Sequence, residues 1–416
     1  MATSQLRLRE VRPVGPAFVT AYALSYAGGS LLFLAPLLVT LALKVNDLVG
    51  LDDAPRSLAL VTGVGSLLAL VSNPLVGRLS DRTTSRLGMR RPWMLVGLAG
   101  GCAGILTVAL APSVPVVLVG WCVAQVFLNA ILAAQTAVLP DQVPTRQRGV
   151  VSGVLGICVP AASVAGTYLV QAFDGSLLTM FAVPCLVGGV LVLQFALRLP
   201  DRRLDAADRP AWSLRELVET FYVDPRANPD FAWAFLSRFL LVMAYAFLVT
   251  YQAYYLLEQI GSREQDVAHQ IYLGTLAQSV AIVATAPLAG RLSDRLGRRK
   301  VFVMGAATIY AAALVLVAGA TGVGGYLVGM AVGGAGFGMY MAVDLALVVD
   351  VLPESGSVAK DLGVLNIAGA LPFAVAPALA PAILGITDHS YAVLYLVAGG
   401  CALLGAAAIL PVRRVR

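Results

Sequence analysis

The sequence has little charge for its length. Only 12% of its 416 residues are Asp, Glu, Lys or Arg, whereas soluble domains carry roughly 25%. So few charges cannot cover a surface in water, which excludes an ordinary soluble protein. Hydrophobic residues make up 59% of the chain, and the mean hydropathy is +0.83. Many of them lie in apolar runs near the length of a transmembrane helix.

Histidine and cysteine are also scarce. The chain has two histidines and five cysteines. Every cysteine lies within an apolar run, at Cys102, Cys122, Cys158, Cys185 and Cys401. None has metal-ligand spacing, so we predict no metal and no cofactor and interpret the cysteines as small buried hydrophobic residues. The sequence contains no H-E-x-x-H or G-x-S-x-G motif, and its predicted loops are too short for a catalytic domain, so we do not predict an enzyme.

Basic residues are unevenly distributed. Only Lys44, Arg56 and Arg263 fall in one set of predicted loops, and the other 26 of the 29 Lys and Arg lie at or near the other face. Positively charged loops remain in the cytoplasm. We therefore predict a multi-pass protein of the cell membrane with both termini cytoplasmic. Basic residues in short loops between apolar runs fit contact with a lipid bilayer and argue against nucleic acid binding.

Twelve apolar runs are long enough to cross a bilayer. They are predicted near residues 17–43, 57–77, 93–111, 115–139, 150–172, 178–198, 231–257, 270–289, 301–319, 324–349, 362–384 and 391–411. An even number of crossings places both ends of the chain on one side of the membrane.

A basic segment between these runs occurs twice. The sequence G-R-L-S-D-R occupies residues 77–82 after the second run and residues 290–295 after the eighth. Further matches keep an offset of 209 residues, as between Gly88 and Gly297. A repeat of this length predicts two parallel six-helix bundles related by an axis normal to the membrane.

The longest predicted loop separates the two repeats. We expect an N-terminal bundle over residues 1–198, a cytoplasmic linker over 199–230 and a C-terminal bundle over 231–416. Apolar residues of the linker fall at helical spacing, namely Leu214, Leu217, Val218, Phe221 and Tyr222. This pattern favours a short amphipathic helix on the inner membrane surface, and a docking site for a partner protein is the alternative.

The twelve runs, the repeat, and G-R-L-S-D-R followed by G-x-R-R resemble the major facilitator superfamily. The longer first copy, S-D-R-T-T-S-R-L-G-M-R-R-P-W, is similar to the sucrose-carrier and glycoside–pentoside–hexuronide branch, as is Asn228-Pro229-Asp230-Phe231 before the seventh run. The resemblance implies an all-α membrane protein with twelve transmembrane helices in two pseudo-symmetric six-helix bundles. It also implies alternating access around a cavity lined mainly by spans one, four, seven and ten.

In this superfamily the motif aspartate pairs with basic residues and a helix end across the inner face and holds that face closed. The resemblance therefore implies a cytoplasmic gate motif. Its first copy comprises Gly77, Asp81, Arg82, Gly88, Arg90 and Arg91. Its second copy comprises Gly290, Asp294, Arg295, Gly297, Arg298 and Arg299. Each aspartate would pair with one of the arginines of its own copy. The alternative is that these charges only anchor the loops in the cytoplasm.

One acidic residue is predicted within the membrane. Of the 23 Asp and Glu, all but Asp344 fall in loops or at the ends of spans. Asp344 lies about 10 Å inside the tenth span, at a rise of 1.5 Å per residue. An ionisable group at that depth is costly and indicates a function, which makes Asp344 the candidate for proton coupling. The alternative is a structural carboxylate fixed by Arg238 or by backbone donors.

Polar residues form stripes on the four spans that the resemblance places around the cavity. They are Tyr22 and Tyr26 on span one, Gln125 and Asn129 on span four, Arg238, Tyr245 and Gln252 on span seven, and Tyr340 beside Asp344 on span ten. Aromatic faces and amides suit stacking and hydrogen bonding to a sugar-sized solute. Each residue could instead serve only to join helices.

The sequence departs from the branch at positions that bear on coupling. Plant-type sucrose carriers have a carboxylate in span four, where this chain has Gln125, and an arginine in span five, which has none here. Melibiose-type carriers use acids in spans two and four for sodium, and span two here has none, so we do not predict such a sodium site. We predict a secondary transporter, coupled to protons and functional as a monomer, for a sugar, glycoside or similar small polar solute. The alternatives are passive facilitation of such a solute and a proton-antiport exporter of a drug or amphipathic metabolite.

Overall fold

The computed structural model describes residues 13–205, 226, 228–351 and 358–413, without the side chains of 345, 346, 348–351 and 358–363. In these ranges the regular structure is helical. The helices are α1 (Pro16–Ala35), a π-helical segment (Pro36–Thr40), α2 (Leu41–Asp81), α3 (Arg91–Leu110), α4 (Val114–Gln142), α5 (Thr145–Ala172), α6 (Leu177–Arg198), α7 (Pro229–Tyr254), a second π-helical segment (Tyr255–Gln259), α8 (Glu264–Leu296), α9 (Arg299–Ala318), α10 (Val323–Val351), α11 (Val358–Ala370), α12 (Pro372–Ile386) and α13 (Tyr391–Ala408).

Proline, serine and glycine set several helix ends. Proline occupies the first turn of α1, α3, α4, α7 and α12, where its missing N–H would have had no partner. Ser176 caps α6 by accepting the backbone N–H of Thr179 at 3.2 Å. Gly297 ends α8 with φ of 59°, a left-handed conformation that glycine adopts without strain.

The first helical segment supplies two crossings. Residues Pro16–Asp81 are helical over 66 residues, which at 1.5 Å per residue is about 100 Å, roughly three times the thickness of the hydrocarbon core. Gly50 breaks the segment, with φ of 75° and ψ of 169°. Ten other described segments are long and apolar enough to span a membrane. With the first segment counted as two, the described residues supply twelve helical stretches that can cross a membrane, which is the number predicted.

The helices of the two halves, α1–α6 and α7–α13, pack in corresponding pairs. In the first half α1 packs on α5 and α6, and α4 packs on α2 and α3. In the second half α7 packs on α12 and α13, and α10 packs on α8 and α9. This correspondence confirms the predicted all-α fold of two related bundles.

The predicted linker falls mostly outside the described residues. Residues 206–225 and 227 are not among them, so the expected amphipathic helix over 214–222 has no structural description. Helix α6 ends at Arg198 and α7 begins at Pro229. The domain limits at 198 and 231 remain predictions.

The two halves meet along a seam formed by α2 with α12 and by α5 with α8. We call the face that carries the repeated motif the motif face, and the other the opposite face. Near the opposite face Gln252 Nε2 donates to the carbonyl oxygen of Leu38 at 3.2 Å, and the Tyr254 hydroxyl donates to that of Ala42 at 3.0 Å. Leu38 lies in the first π-helical segment, and the second directly follows Tyr254. These hydrogen bonds join the halves at the opposite face.

Candidate functional site

A cavity lies between the two halves and has two connected lobes. The aromatic lobe, of about 650 Å³, is bordered by α1, α4, α5, α7, α8 and α10. The amide lobe, of about 760 Å³, is bordered by α1, α2, α4, α7 and α11. Tyr26, Thr136 and Leu139 line both. The amide lobe extends to Gly77 and Pro140, near the ends of α2 and α4, so the cavity reaches the motif face.

Three amide side chains and one guanidinium, from four helices, line the amide lobe. They are Asn73 on α2, Asn129 on α4, Arg238 on α7 and Asn366 on α11. Asn73 Nδ2 donates to Asn129 Oδ1 at 3.3 Å, and Asn129 Nδ2 donates to the carbonyl oxygen of Gln125 at 2.9 Å. A primary amide can make up to four hydrogen bonds, so these groups keep capacity for a solute that carries hydroxyl or amide groups.

Arg238 and Asp344 form an ion pair between α7 and α10. Arg238 Nη1 lies 2.6 Å from Asp344 Oδ2, and the side chains are 20% and 10% exposed. The buried Nε of Arg238 has no hydrogen-bond partner among the described residues. Gly369 on α11 faces the guanidinium, and a Cβ there would lie 3.6 Å from Nη2. Arg238 thus lines the amide lobe with one donor unused, whereas Asp344 lines neither lobe and is joined to the cavity through Arg238. Arg238 is also one of the partners that the structural alternative for Asp344 named, the other being backbone donors.

The aromatic lobe offers ring faces. Tyr245 stacks on Phe337 with ring centroids 4.5 Å apart and planes at 17°, and Tyr26 lies where the two lobes join. Tyr22 also borders this lobe, but its hydroxyl donates to the carbonyl oxygen of Gln135 at 2.6 Å. The polar group of Tyr22 is therefore engaged within the first half.

Gln135 is a buried amide that the sequence analysis did not select. Its Nε2 donates to the carbonyl oxygen of Ser25 at 2.7 Å and to Ser25 Oγ at 2.9 Å, which joins α4 to α1. Its Oε1 is buried without a described partner, and a Cβ at Gly29 would lie only 2.7 Å from it. An amide within an apolar run was the available signal, but Gln135 does not share the stripe of Gln125 and Asn129.

Three of the predicted cavity residues line neither lobe. Gln252 is 1% exposed at the seam, where its Oε1 accepts the Tyr326 hydroxyl at 3.1 Å. Gln125 is 2% exposed beneath Asn129, and Tyr340 is 2% exposed on α10 one turn before Asp344. Their side chains contact other protein groups rather than the open volume.

The first motif copy is organised around Arg90, which is 4% exposed. Its Nη2 lies 2.6 Å from Asp81 Oδ1, its Nε lies 2.8 Å from Asp141 Oδ2, and its Nη1 donates to Ser80 Oγ at 2.9 Å. Burial lowers the pKa of Arg90, but Asp141 and Asp81 more than offset this, so the pKa is raised. The guanidinium joins the end of α2, the start of α3 and the end of α4. The pair of Asp81 with Arg90 therefore lies within one half.

Asp201, which follows α6, holds the segment that carries Arg90. Its Oδ2 accepts the backbone N–H groups of Arg90 and Arg91 at 2.6 and 2.8 Å, at the helix N-terminus where negative charge is favoured. Burial raises the pKa of Asp201, and the two N–H groups offset only part of that rise. Gly88 has φ of 107°, and a Cβ there would overlap the Asp201 carboxylate. The fold thus requires glycine at residue 88.

The second motif copy is looser. Arg299 Nη2 lies 3.9 Å from Asp294 Oδ1, and the side chains are 28% and 71% exposed. The start of α9 is held instead by Lys300, whose Nζ donates to the carbonyl oxygens of Leu410 and, at 3.1 Å, Val412. The two copies therefore share a sequence but differ in how closely the motif aspartate approaches its arginine.

The remaining motif residues lie at or near helix ends on the motif face. Gly77 lines the amide lobe, and Gly290 lies on α8 close to α10. Arg82 directly follows α2, Arg295 lies in the last turn of α8, and Arg298 precedes α9.

Comparison with known families gives a match over nearly the whole chain. The model of the Major Facilitator Superfamily matches residues 18–277 and 265–416. The chain belongs to this superfamily. Its members are transmembrane transporters, and the protein is accordingly a multi-pass membrane transporter. No curated protein matches the sequence.

Solved structures of other superfamily members share the fold. The nucleoside transporter NupG is 13% identical and has a TM-score of 0.74, over 95% of this chain and 98% of that one. The human organic anion transporter MFSD10 (TETRAN) is 18% identical with a TM-score of 0.69, over 96% and 100%. A bacterial homolog of the human lysosomal transporter Spinster, inward-facing and unoccupied, is 13% identical with a TM-score of 0.69, over 95% and 94%. At these identities the likeness concerns the superfamily fold alone.

Proposed function

We propose that this superfamily member is a proton-coupled secondary transporter of a sugar, glycoside or similar small polar solute. The observation that carries the proposal is the ion pair of the buried Asp344 with Arg238, which lines a cavity together with three asparagines. Amides suit the donor and acceptor pattern of a polyol. An ionisable pair within a transmembrane segment is costly and is a functional candidate by default.

The pair offers a simple coupling step. An ionised Asp344 holds Arg238 Nη1 at 2.6 Å. Protonation of the carboxylate would weaken that attraction and release the guanidinium toward the amide lobe, which it already lines. A guanidinium freed in this way could donate to solute oxygens, so proton binding and solute binding would favour each other.

The proposed orientation places the motif face in the cytoplasm of a cell-membrane protein with both termini inside. It rests on the excess of Lys and Arg in the loops of that face. In this orientation the hydrogen bonds between Gln252 and Leu38 and between Tyr254 and Ala42 close the outer side. The cavity that extends to Gly77 would open inward. We propose that the protein works as a monomer, because the cavity is formed by one chain.

A second candidate is a proton-antiport exporter of a drug or amphipathic metabolite. The aromatic lobe supports it, since the stacked rings of Tyr245 and Phe337 together with Tyr26 offer an apolar surface beside the polar one. An amphipathic compound would use both lobes, whereas a small polar solute would be held mainly by the amide lobe.

Transport by purified protein in liposomes separates these candidates. We expect labelled disaccharides or glycosides to accumulate under an inward proton gradient, and accumulation to stop in Asp344→Asn while counterflow exchange continues. Unchanged accumulation in Asp344→Asn would remove this residue from coupling. Absence of sugar uptake, together with gradient-driven extrusion of an amphipathic dye, would favour the exporter. A matched control is Asp266→Asn, since Asp266 forms an exposed pair with Arg263 near the opposite face.

A further inference from the structure

A third cavity, of about 660 Å³, lies between α5 and α8 on the outside of the seam. Its walls are small or aliphatic residues, among them Ala161, Val164 and Ala165 of α5 and Val280, Val283 and Ala284 of α8. Both helices are long and apolar enough to span the membrane, so this cavity, which we call the side slot, faces the bilayer. Val280, which lines the slot but not the central cavity, is 60% exposed, so its remaining contacts come from outside the chain.

Contacts between the two helices lie along the side slot at two levels. At the deeper level Ser279 Oγ donates to the carbonyl oxygen of Pro160 at 3.4 Å. Toward the opposite face the rings of Tyr168 and Tyr272 pack with centroids 5.6 Å apart. The slot is lined on α5 from Ile157 to Tyr168, which is about 16 Å at 1.5 Å per residue. One leaflet of a bilayer has a hydrocarbon depth of about 15 Å, so the slot matches the length of a lipid chain in that leaflet.

The end near the opposite face is polar. Tyr168 is 49% exposed, and beyond it His269 Nδ1 lies 2.7 Å from Gln171 Oε1. Tyrosines are enriched at the level of lipid head groups. The slot therefore combines an apolar channel within the membrane with hydroxyl, imidazole and amide groups where a head group would lie.

The other end communicates with the central cavity. Ile157, Pro160, Ser279 and Val283 line both the side slot and the aromatic lobe. A chain lying in the slot would therefore end against the wall of that lobe. Its occupancy depends on the spacing of α5 and α8, one of the two helix pairs that form the seam.

We propose that the side slot binds one acyl chain of a phospholipid from the leaflet at the opposite face, with its head group beside Tyr168, Gln171 and His269. A polar solute would gain nothing from the aliphatic walls. A lipid chain gains contact on two sides that a flat helix surface does not give. The site is independent of the transported solute.

Photo-crosslinking tests the site. The protein would be placed in phosphatidylcholine nanodiscs that contain a small fraction of phosphatidylcholine with a diazirine in the middle of one chain. After irradiation, mass spectrometry of peptides locates the label. We expect it on residues 157–168 of α5 and 272–284 of α8. In Ala165→Trp the indole would displace part of the lipid chain, so labelling of these residues should fall. If about two methylene groups lose their contacts with the slot, the affinity, and with it the labelling, falls about tenfold.

The matched control is Ala312→Trp on α9, since Ala312 is also an exposed alanine at a similar depth in the membrane. Ala312 lies six residues before the end of α9, and Ala165 lies seven residues before the end of α5. It should leave the slot labelling unchanged. Label spread evenly over all exposed helix faces would overturn the proposal, as would undiminished labelling in Ala165→Trp or an equal loss in Ala312→Trp. If Ala165→Trp does not yield folded protein, Val280→Trp fills the slot from α8 and must give the same loss.

Discussion

Removing one member of the Arg238–Asp344 pair should destabilise the protein more than removing both. The charged atoms are 2.6 Å apart, and the side chains are only 20% and 10% exposed. Truncating one partner of a buried pair leaves an unpaired charge and typically costs about 3–5 kcal/mol. Because a fifth of Arg238 is exposed, we expect the lower end, about 3 kcal/mol, for Arg238→Met and for Asp344→Leu alone. The double variant leaves no charge, and we expect it to cost about 1 kcal/mol or less.

The assay is the unfolding free energy of purified protein titrated with SDS in mixed micelles. The coupling energy, which is the sum of the two single losses less the loss in the double variant, should be about 5 kcal/mol. Arg263 and Asp266 provide the control cycle, since their atoms are 2.8 Å apart but the side chains are 74% and 38% exposed. We expect less than about 1 kcal/mol there. A double variant at 238 and 344 that costs as much as the two single variants together would refute the reasoning.

Three further predictions concern the motif and the seam. Gly88→Ala should lower the unfolding free energy by about 1–3 kcal/mol, because a side chain at φ of 107° is strained and would overlap Asp201; an unchanged SDS midpoint would contradict this. Arg90→Lys should lower the unfolding free energy more than Asp294→Asn does. Lysine lacks the planar guanidinium that reaches three partners, whereas Asp294 and Arg299 are 3.9 Å apart and Asp294 is exposed. Equal losses of unfolding free energy would argue against a tightly held first copy. Gln252→Leu removes a hydrogen bond across the seam and should increase labelling, from the opposite face, of a single cysteine placed in the aromatic lobe; unchanged labelling would show that this bond does not keep that face closed.

The helices could be predicted because the membrane restricts the possible structures. A chain with this little charge must satisfy its backbone within helices when it crosses a bilayer, and the number of crossings follows from the apolar runs. The internal repeat and its doubled motif then indicated the superfamily. Gly50 shows the limit of this reasoning. It lies between two apolar runs, where the sequence predicts a loop, but the chain is helical on both sides of it. Helix ends also extend past the apolar runs, as in α8, which continues to Leu296.

The cavity could be predicted only in part. Helical spacing shows which residues share a face, but the direction of that face depends on how the helices pack. Tyr26, Asn129, Arg238 and Tyr245 line the lobes, whereas Gln252, on the same stripe as Arg238, lies at the seam. The lining asparagines of α2 and α11 were missed because those helices were not expected to border the cavity.

The partners of Arg90 were even less accessible to sequence reasoning. Asp141 is 51 residues away and Asp201 is 111 residues away, so no local pattern joins them. Only the packing of α2, α3, α4 and the chain after α6 brings them together.

One consequence of the Arg90 cluster concerns how this transporter changes shape. The Arg90 guanidinium holds the ends of α2 and α4 against the start of α3. Asp201, which follows α6, binds the backbone N–H of Arg90. We expect this bundle to rotate as a rigid body, without movement of its helices relative to one another. Displacement between the bundles would then take place along the seam formed by α2 with α12 and by α5 with α8.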